Sequence, residues 1–215
     1  QILSGTPTND EVGSHSIVIT VTDLEGATSE QSFTISVANT NDAPVFTSTP
    51  TTSAIEDAGY SYTAATSDID VGDVLSISGE YPSWLTLIDN GDGTADLSGT
   101  PTNDEVGSHS IVLTVTDLEG ATSEQSFTIN VANTNDAPVF TSTPLTSAVE
   151  DAEYSYTMIA EDVDEGDGLT YTAQTLPGWL NFDGTATISG MPLNEHVGTH
   201  DIVLTVTDIE GATDI

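Results

Sequence analysis

Short segments in which apolar and polar residues alternate recur along the chain. In the segment 111–116 every second residue is apolar, namely Ile111, Leu113 and Val115, and the segment 127–131 follows the same rule. Side chains of a β-strand point alternately to opposite faces, so this period places one apolar set on a common face. β-Branched residues dominate both segments, and Gly, Pro, Asn and Asp separate them from their neighbours. Since no helical period is sustained, the pattern predicts an all-β protein.

The alternating segments belong to a long internal repeat. Residues 4–50 and 98–144 match at an offset of 94 residues and differ at only two positions, Ile19/Leu113 and Ser36/Asn130. A third, more divergent copy follows, in which Tyr154 repeats Tyr60 at the same offset. This period is too long for a solenoid and suits a β-sandwich domain. The repeat therefore predicts β-sandwiches in tandem.

Two identical linkers mark the expected domain limits. They run from Asn39 to Pro44 and from Asn133 to Pro138, each reading Asn-Thr-Asn-Asp-Ala-Pro. We expect three parts: 1–42, the C-terminal strands of a truncated repeat; 43–136, a complete sandwich; and 137–215, a sandwich without its last strand.

Composition narrows the classes of partner. The chain has 35 acidic residues, no Lys or Arg and no Cys. Nucleic acids and anionic membrane surfaces require basic residues, so neither is an expected partner. Disulfides and thiolate zinc sites are impossible, and no apolar run is long enough to insert into a membrane. The negative charge must be balanced by solvent ions or by bound cations.

The acidic residues concentrate where the predicted domains meet. Asp68 and Asp70 form one Asp-x-Asp pair, Asp162 and Asp164 form another, and each linker adds Asn and Asp. Ca²⁺ takes six to eight oxygen ligands, typically carboxylates and carbonyls. The clusters are candidate calcium sites, and the alternative is a merely solvated acidic linker.

The linker motif carries a resemblance to a known family. Asn133-Thr-Asn-Asp-Ala-Pro-Val-Phe140 resembles the cadherin interdomain signature, although it begins with Asn where cadherins carry Asp. Trp-Leu followed by Ser-Gly-Thr-Pro resembles the dystroglycan-type and "Putative Ig" domains of large bacterial secreted or surface adhesins. The resemblance implies tandem Ig-like or cadherin-like Greek-key β-sandwich domains.

The same resemblance implies the ligands of each junction. For the second junction it implies Glu56, Asp104, Glu105, Asn133, Asn135, Asp136, Asp162, Asp164 and Asp208. For the first junction it implies Asp10, Glu11, Asn39, Asn41, Asp42, Asp68, Asp70 and Asp117. The counterpart of Glu56 falls before Gln1, so we expect the first site to have one ligand fewer. His196 stands where Glu105 stands in the preceding copy, which weakens the outer site of the third domain.

We expect a calcium-rigidified extender or spacer of an extracellular bacterial adhesin, supporting cell adhesion from the cell surface, with neighbouring repeats as its partners. No nucleophile motif or phosphate-binding loop is present, so no enzyme activity is expected. One alternative is a carbohydrate-binding module in which Trp84 and Trp179 stack on a glycan. Another is homotypic contact, with the strand Glu30 to Val37 of one copy donated to the open sheet edge of another.

Overall fold

The structure, a computed structural model, describes residues 2–215. Within them the regular elements are β-strands and three single-turn 3-10 helices, so the all-β prediction is confirmed. None of the described helices is long and apolar enough to cross a membrane.

The chain divides into two compact units. The first unit holds the residues up to Ala54 together with Ala58–Pro101 and Gly107–Val131. The second unit holds Ile55–Asp57, Thr102–Val106 and Ala132–Ile215.

The first unit begins with an antiparallel hairpin of two long strands. β1 (Gly13–Thr22) pairs with β2 (Thr28–Val37) along its whole length, from Gly13↔Val37 to Thr22↔Thr28. The apolar side chains of this hairpin remain accessible, for example Ile19 at 44% and Val21 at 66% exposure. A lone hairpin buries too little apolar surface to form a core of its own.

The middle repeat, by contrast, forms two sheets with a shared core. Its strands are β3 (Val45–Phe46), β4 (Ser53–Ile55), β5 (Tyr60–Ser67), β6 (Ser76–Glu80), β7 (Leu85–Asp89), β8 (Thr94–Gly99), β9 (Gly107–Thr116) and β10 (Thr122–Ala132). They form two four-stranded sheets, ordered β3-β5-β8-β7 and β4-β10-β9-β6. The pairs β3–β5, β5–β8, β7–β8, β6–β9 and β9–β10 are antiparallel.

The core of the first unit lies between these two sheets. Leu97 of β8 and Leu113 of β9 are fully buried, and Ile111 and Ile129 pack in the same cluster. Burying each such side chain contributes about 1.5–3 kcal/mol relative to leaving it exposed. The period-two pattern at 111–115 therefore describes the inward face of β9 correctly.

The second unit contains shorter strands. They are β11 (Val139–Phe140), β12 (Tyr154–Thr157), β13 (Ala160–Glu161), β14 (Thr170–Thr175), β15 (Leu180–Phe182), β16 (Thr187–Gly190), β17 (Val203–Thr207) and β18 (Thr213–Asp214). They form the sheets β12-β16-β15, β14-β17-β18 and β11-β13. A core cluster of Tyr154, Tyr156, Met158, Leu180 and Ile188 supports them.

The Trp-Leu and Ser-Gly motifs have a packing reason in both units. A side chain at Gly99 would collide with the carbonyl oxygen of Trp84, and one at Gly190 would collide with that of Trp179. The strand that carries each glycine pairs with the strand that follows the tryptophan. Only glycine permits this close backbone approach.

The predicted domain limits stay a prediction. The boundaries of the two compact units nevertheless show which segments accompany the acidic residues of the second unit. Ile55–Asp57 and Thr102–Val106 group with the second unit although they belong to the middle repeat in sequence. These two segments carry Glu56 and Asn103, which join an acidic cluster of the second unit.

Candidate metal centres

The second unit gathers buried carboxylates without any basic residue beside them. Glu56, Asp164 and Asp208 are only 2%, 7% and 5% exposed. The chain has no Lys or Arg. Removing an ionised carboxylate from water costs several kcal/mol unless charge or hydrogen bonds compensate it. The compensation here comes from amide groups of the backbone and of asparagines.

One group of this cluster is centred on Glu56. Carboxylate oxygens of Glu56, Asp57 and Asp136 lie within 4.8 Å of one another. The Glu56 carboxylate accepts a hydrogen bond from the backbone N–H of Thr134 at 3.1 Å, and the Glu56 N–H donates to the carbonyl of Ala132 at 3.0 Å. These bonds attach Glu56 to the linker. Asp57 has φ 57°, a left-handed conformation that Asp tolerates better than most residues.

A second group joins the loop after β13 to the end of β17. Carboxylate oxygens of Asp162, Asp167 and Asp208 come within 4.8 Å of one another. The Oδ2 atoms of Asp162 and Asp167 are hidden from solvent and have no hydrogen-bond partner. The Asp164 N–H donates to Asp162 Oδ1 at 3.0 Å, which closes the Asp-x-Asp turn. Unpartnered, solvent-hidden carboxylate oxygens are what a bound cation would satisfy.

Asp164 connects this loop to the linker and to the middle repeat. Its Oδ1 accepts hydrogen bonds from the Nδ2 atoms of Asn103 at 2.9 Å and of Asn133 at 2.8 Å. Its Oδ2 accepts from the backbone N–H of Asp136 at 2.7 Å. One carboxylate therefore joins three segments of the second unit.

The electrostatics of the cluster show uncompensated negative charge. Burial, followed by the charges of Asp162, Asp164 and Asp208, raises the pKa of Asp167. Burial, followed by the charge of Asp167, also raises the pKa of Glu210. In contrast, the hydrogen bond from Asn135 lowers the pKa of Asp208. A cation at this place would relieve the repulsion that raises the first two pKa values.

The first unit repeats this arrangement in part. Carboxylate oxygens of Asp68, Asp70 and Asp73 lie within 4.8 Å of one another, and the Oδ2 atoms of Asp68 and Asp73 are hidden and unpartnered. The Oδ2 atom of Asp70 accepts from the N–H of Asp42 at 2.8 Å. Burial and then the charge of Asp68 raise the pKa of Asp73. Asp117 lies buried beside them.

Some of the ligands predicted from the sequence lie in the carboxylate groups or contact them, and others do not. Those that join the carboxylate groups or contact them are Glu56, Asp136, Asp162, Asp164, Asp208, Asn133 and Asn135 in the second unit, and Asn41, Asp42, Asp68, Asp70 and Asp117 in the first. Asp10 and Asp104 line clefts beside the two clusters. Asn39 is exposed. A ligand role for each of these residues stays a prediction.

Glu11 and Glu105 each cap a 3-10 turn. The Glu105 carboxylate accepts from the N–H of Thr102 at 2.9 Å and from its hydroxyl at 2.8 Å, and Glu11 bonds Thr8 in the same way. In the third repeat His196 takes over this position, and its Nδ1 accepts from the N–H of Leu193 at 3.0 Å. The capping explains why Glu or His stands three residues after the start of the turn.

Several residues of the clusters were not predicted. Asn9, Asn103, Asp57, Asp73, Asp167, Glu119 and Glu210 all lie in or beside them. Asp73 and Asp167 recur at the repeat offset, as do Asn9 and Asn103, so the repeat contained a signal. Asp57 also recurs, as Asp151, but its approach to Asp136 is a tertiary contact, which recurrence alone does not reveal.

The donor set fits a hard divalent cation. The clusters offer carboxylate and amide oxygens, whereas zinc and copper sites favour histidine or thiolate ligands. Among the described residues the candidate groups contain only Asp and Glu. Ca²⁺ and, less readily, Mg²⁺ match such oxygen ligands.

The two tryptophans pack into the cores. Trp84 lies edge-on to Tyr60 at 5.9 Å between ring centroids and to His109 at 5.8 Å. Trp179 repeats this with Tyr154 at 5.8 Å and with His200 at 6.1 Å. Both tryptophans are only partly accessible, so a glycan-stacking role for them stays a prediction without support from their packing.

Comparison with known proteins connects the fold to a family. The model of the family described as "Putative Ig domain" matches residues 1–38, 43–132 and 137–214. The serine-rich adhesins for platelets of Staphylococcus aureus strains MRSA252 and MSSA476 are 28% identical to this chain over 225 residues, which cover 90% of the chain. The chain spans only 16% and 10% of these two relatives, respectively.

Solved structures agree on the fold. The extracellular domain of protocadherin gammaB4 is 20% identical with a TM-score of 0.58, covering 97% of this chain and 38% of its own. Four extracellular domains of protocadherin gammaB3 are 18% identical with a TM-score of 0.60, covering 99% and 58%. An endo-fucoidan hydrolase of glycoside hydrolase family 107 is 28% identical, but its TM-score is 0.43 over 98% of this chain and 34% of its own. The family match and the two protocadherin structures confirm the predicted Ig-like and cadherin-like sandwich.

Proposed function

Because the chain belongs to the "Putative Ig domain" family, we propose that it is a calcium-rigidified extender of an extracellular bacterial adhesin. Its role is mechanical rather than catalytic, and its immediate partners are the neighbouring repeats of the same chain. The names of the staphylococcal relatives support the assignment to an adhesin. Near-identical copies support the role of a spacer, in which length matters more than a unique binding surface.

The convergence of buried carboxylates in a chain without basic residues carries the calcium part of the proposal. The buried Glu56, Asp164 and Asp208 come from a strand end and two loops of the second unit, and the half-buried Asp136 comes from the linker. Without a cation their like charges repel at short range. With Ca²⁺ bound, the same oxygens become ligands and the segments that carry them are held together.

Stiffening follows from where the ligands lie along the chain. Asn133, Asn135 and Asp136 belong to the linker, while Asp162 and Asp208 belong to the following repeat. A cation shared between linker and loops restricts the backbone torsions of the linker. The extender would therefore be stiff at the millimolar calcium of extracellular fluids, where sites of modest affinity are filled.

Chelation tests this proposal directly. We expect EGTA to lower the melting temperature and to decrease the maximum dimension in small-angle X-ray scattering, and millimolar CaCl₂ to restore both. The same concentration of MgCl₂ should restore less, because Mg²⁺ demands octahedral geometry and dehydrates reluctantly. Equal melting temperatures and equal dimensions with EGTA and with CaCl₂ would disprove calcium rigidification.

A further inference from the structure

Asparagine side chains donate hydrogen bonds to each of the four buried aspartates at the two clusters. In the second unit Asn103 and Asn133 donate to Asp164, and Asn135 donates to Asp208 at 2.9 Å. Each of these two aspartates is more than nine-tenths buried. The asparagines thus occupy the place that Lys or Arg takes beside a buried carboxylate in other proteins.

The first unit contains counterparts of two of these three pairs. Asn41 donates to Asp117 at 2.9 Å, as Asn135 does to Asp208. Asn9 donates to Asp70 at 3.3 Å, as Asn103 does to Asp164. Two copies of the arrangement, each within its own unit, make it a property of the repeat rather than of one loop.

Backbone N–H groups complete the hydrogen bonding of these carboxylates. Asp208 Oδ1 accepts from Gly211 at 2.5 Å and from Ala212 at 2.8 Å. Asp164 Oδ2 accepts from Asp136 at 2.7 Å. A carboxylate with several N–H donors is stabilised in its charged form, even where no positive charge is near.

We propose that these asparagines form an amide clamp, which keeps the buried carboxylates assembled when no cation is bound and limits the affinity for a cation. A carboxylate oxygen that accepts from Nδ2 keeps a second lone pair for a cation, but the N–H group takes up electron density and places a partial positive charge beside the ion. Binding is therefore weaker than at a free carboxylate unless the amide releases the oxygen or turns its Oδ1 towards the ion. The affinity half of this proposal rests on the proposed calcium function, whereas the assembly half concerns the protein without metal.

Substitutions at Asn103 separate the two halves. Asn103→Ala removes the donor without adding charge, and Asn103→Asp replaces the donor with a like charge beside Asp164. In EGTA we expect Asn103→Ala to lower the melting temperature of the second unit by about 4–8 °C, because a hydrogen bond to a charged group is lost. Asn103→Asp should lower it further, because it also adds a negative charge beside Asp164. Asn181→Asp is the matched control, since it makes the same charge change on an exposed position of β15.

Calcium titration by calorimetry completes the test. We expect Asn103→Asp to bind Ca²⁺ at least about tenfold more tightly than the unsubstituted chain, because a charged oxygen ligand replaces an amide that must reorient. Far-ultraviolet circular dichroism at 20 °C in EGTA checks that each variant is folded before melting.

The outcomes distinguish this proposal from the calcium function itself. If Asn103→Ala and Asn103→Asp melt in EGTA at the temperature of the Asn181→Asp control, the clamp does not exist. If both melt earlier but the calcium affinity of Asn103→Asp is unchanged or weaker, the affinity half is wrong. If no variant binds Ca²⁺, the proposed function fails, and the melting temperatures in EGTA still decide the assembly half.

Discussion

The two acidic clusters are built from nearly the same residues, yet they offer different numbers of carboxylate groups. The second unit gathers Glu56 with Asp57 and Asp136, and separately Asp162 with Asp167 and Asp208. Among the described residues of the first unit, one group is gathered, Asp68 with Asp70 and Asp73. The linkers are identical, so the linker alone does not explain the difference. Glu56, which follows β4, belongs to the additional group of the second unit.

This difference predicts unequal responses to calcium removal. We expect EGTA to lower the melting temperature of both units, and that of the second by about 11–22 °C more. One additional ion at a hundredfold excess over its dissociation constant stabilises by about 2.7 kcal/mol, which corresponds to about 4–8 °C per kcal/mol in a domain of this size.

The two tryptophans report the units separately. Trp84→Phe leaves Trp179 as the fluorescent reporter of the second unit, and Trp179→Phe leaves Trp84 for the first. An equal calcium dependence of the two melting curves would mean that Glu56 adds no ion.

The second prediction concerns a substitution that removes the charge of Glu56 but keeps the size of its side chain. Glu56→Gln keeps an oxygen for the N–H of Thr134 but removes the charge, so calorimetry should show one calcium site weakened by roughly tenfold or more. The signal of the first unit should be unaffected. Glu80→Gln, on the exposed face of β6, is the control for the charge change. An unaltered isotherm for Glu56→Gln would remove this residue from the ligands.

The third prediction concerns residues that the two clusters share. Asp73→Asn and Asp167→Asn should each weaken calcium binding in their own unit by a similar factor, since their surroundings correspond. In EGTA each should raise the melting temperature slightly. Their raised pKa values mean that the ionised carboxylates oppose folding at neutral pH, so removing the charge removes that penalty. A fall of the melting temperature in EGTA contradicts this view of both clusters.

The smallest expected effect is that of monovalent salt. In EGTA, raising NaCl from about 0.05 to about 1 M should raise the melting temperature of both units by a few degrees, because the Debye length falls to about 3 Å and like charges are screened. With saturating Ca²⁺ the increase should be smaller in the second unit, where more charge is already neutralised. Differential scanning calorimetry at matched pH measures both.

Sequence patterns identified the strands well but not the burial of their side chains. Leu113 and Ile19 occupy the same position of two nearly identical segments, and the alternating pattern predicted that Leu113 faces a core. Leu113 is fully buried, whereas Ile19 is 44% exposed. The difference arises because β9 packs against β5, β8 and β7, while no such sheet covers β1 among the described residues.

In the candidate clusters, too, the sequence indicated some contacts between side chains and missed others. Acidic pairs such as Asp162 and Asp164 were identifiable from their spacing. In such a turn the backbone N–H of the second aspartate bonds to the carboxylate of the first. The ligand role of Asp104 and Glu105 stays a prediction. In the structure Glu105 caps the 3-10 turn, and its neighbour Asn103 bonds to Asp164. Spacing cannot distinguish these neighbours, because a single turn decides which side chain meets another segment.

The repeat, the all-β pattern and the excess of carboxylates at the linkers follow from the sequence alone, since periodicity and charge are properties of the chain itself. Tertiary structure decided which oxygens converge, that Glu56 joins the linker, and that asparagine amides bond to the buried aspartates. Those contacts join residues that are tens of positions apart. Their geometry depends on how strands and turns pack, which no local pattern specifies.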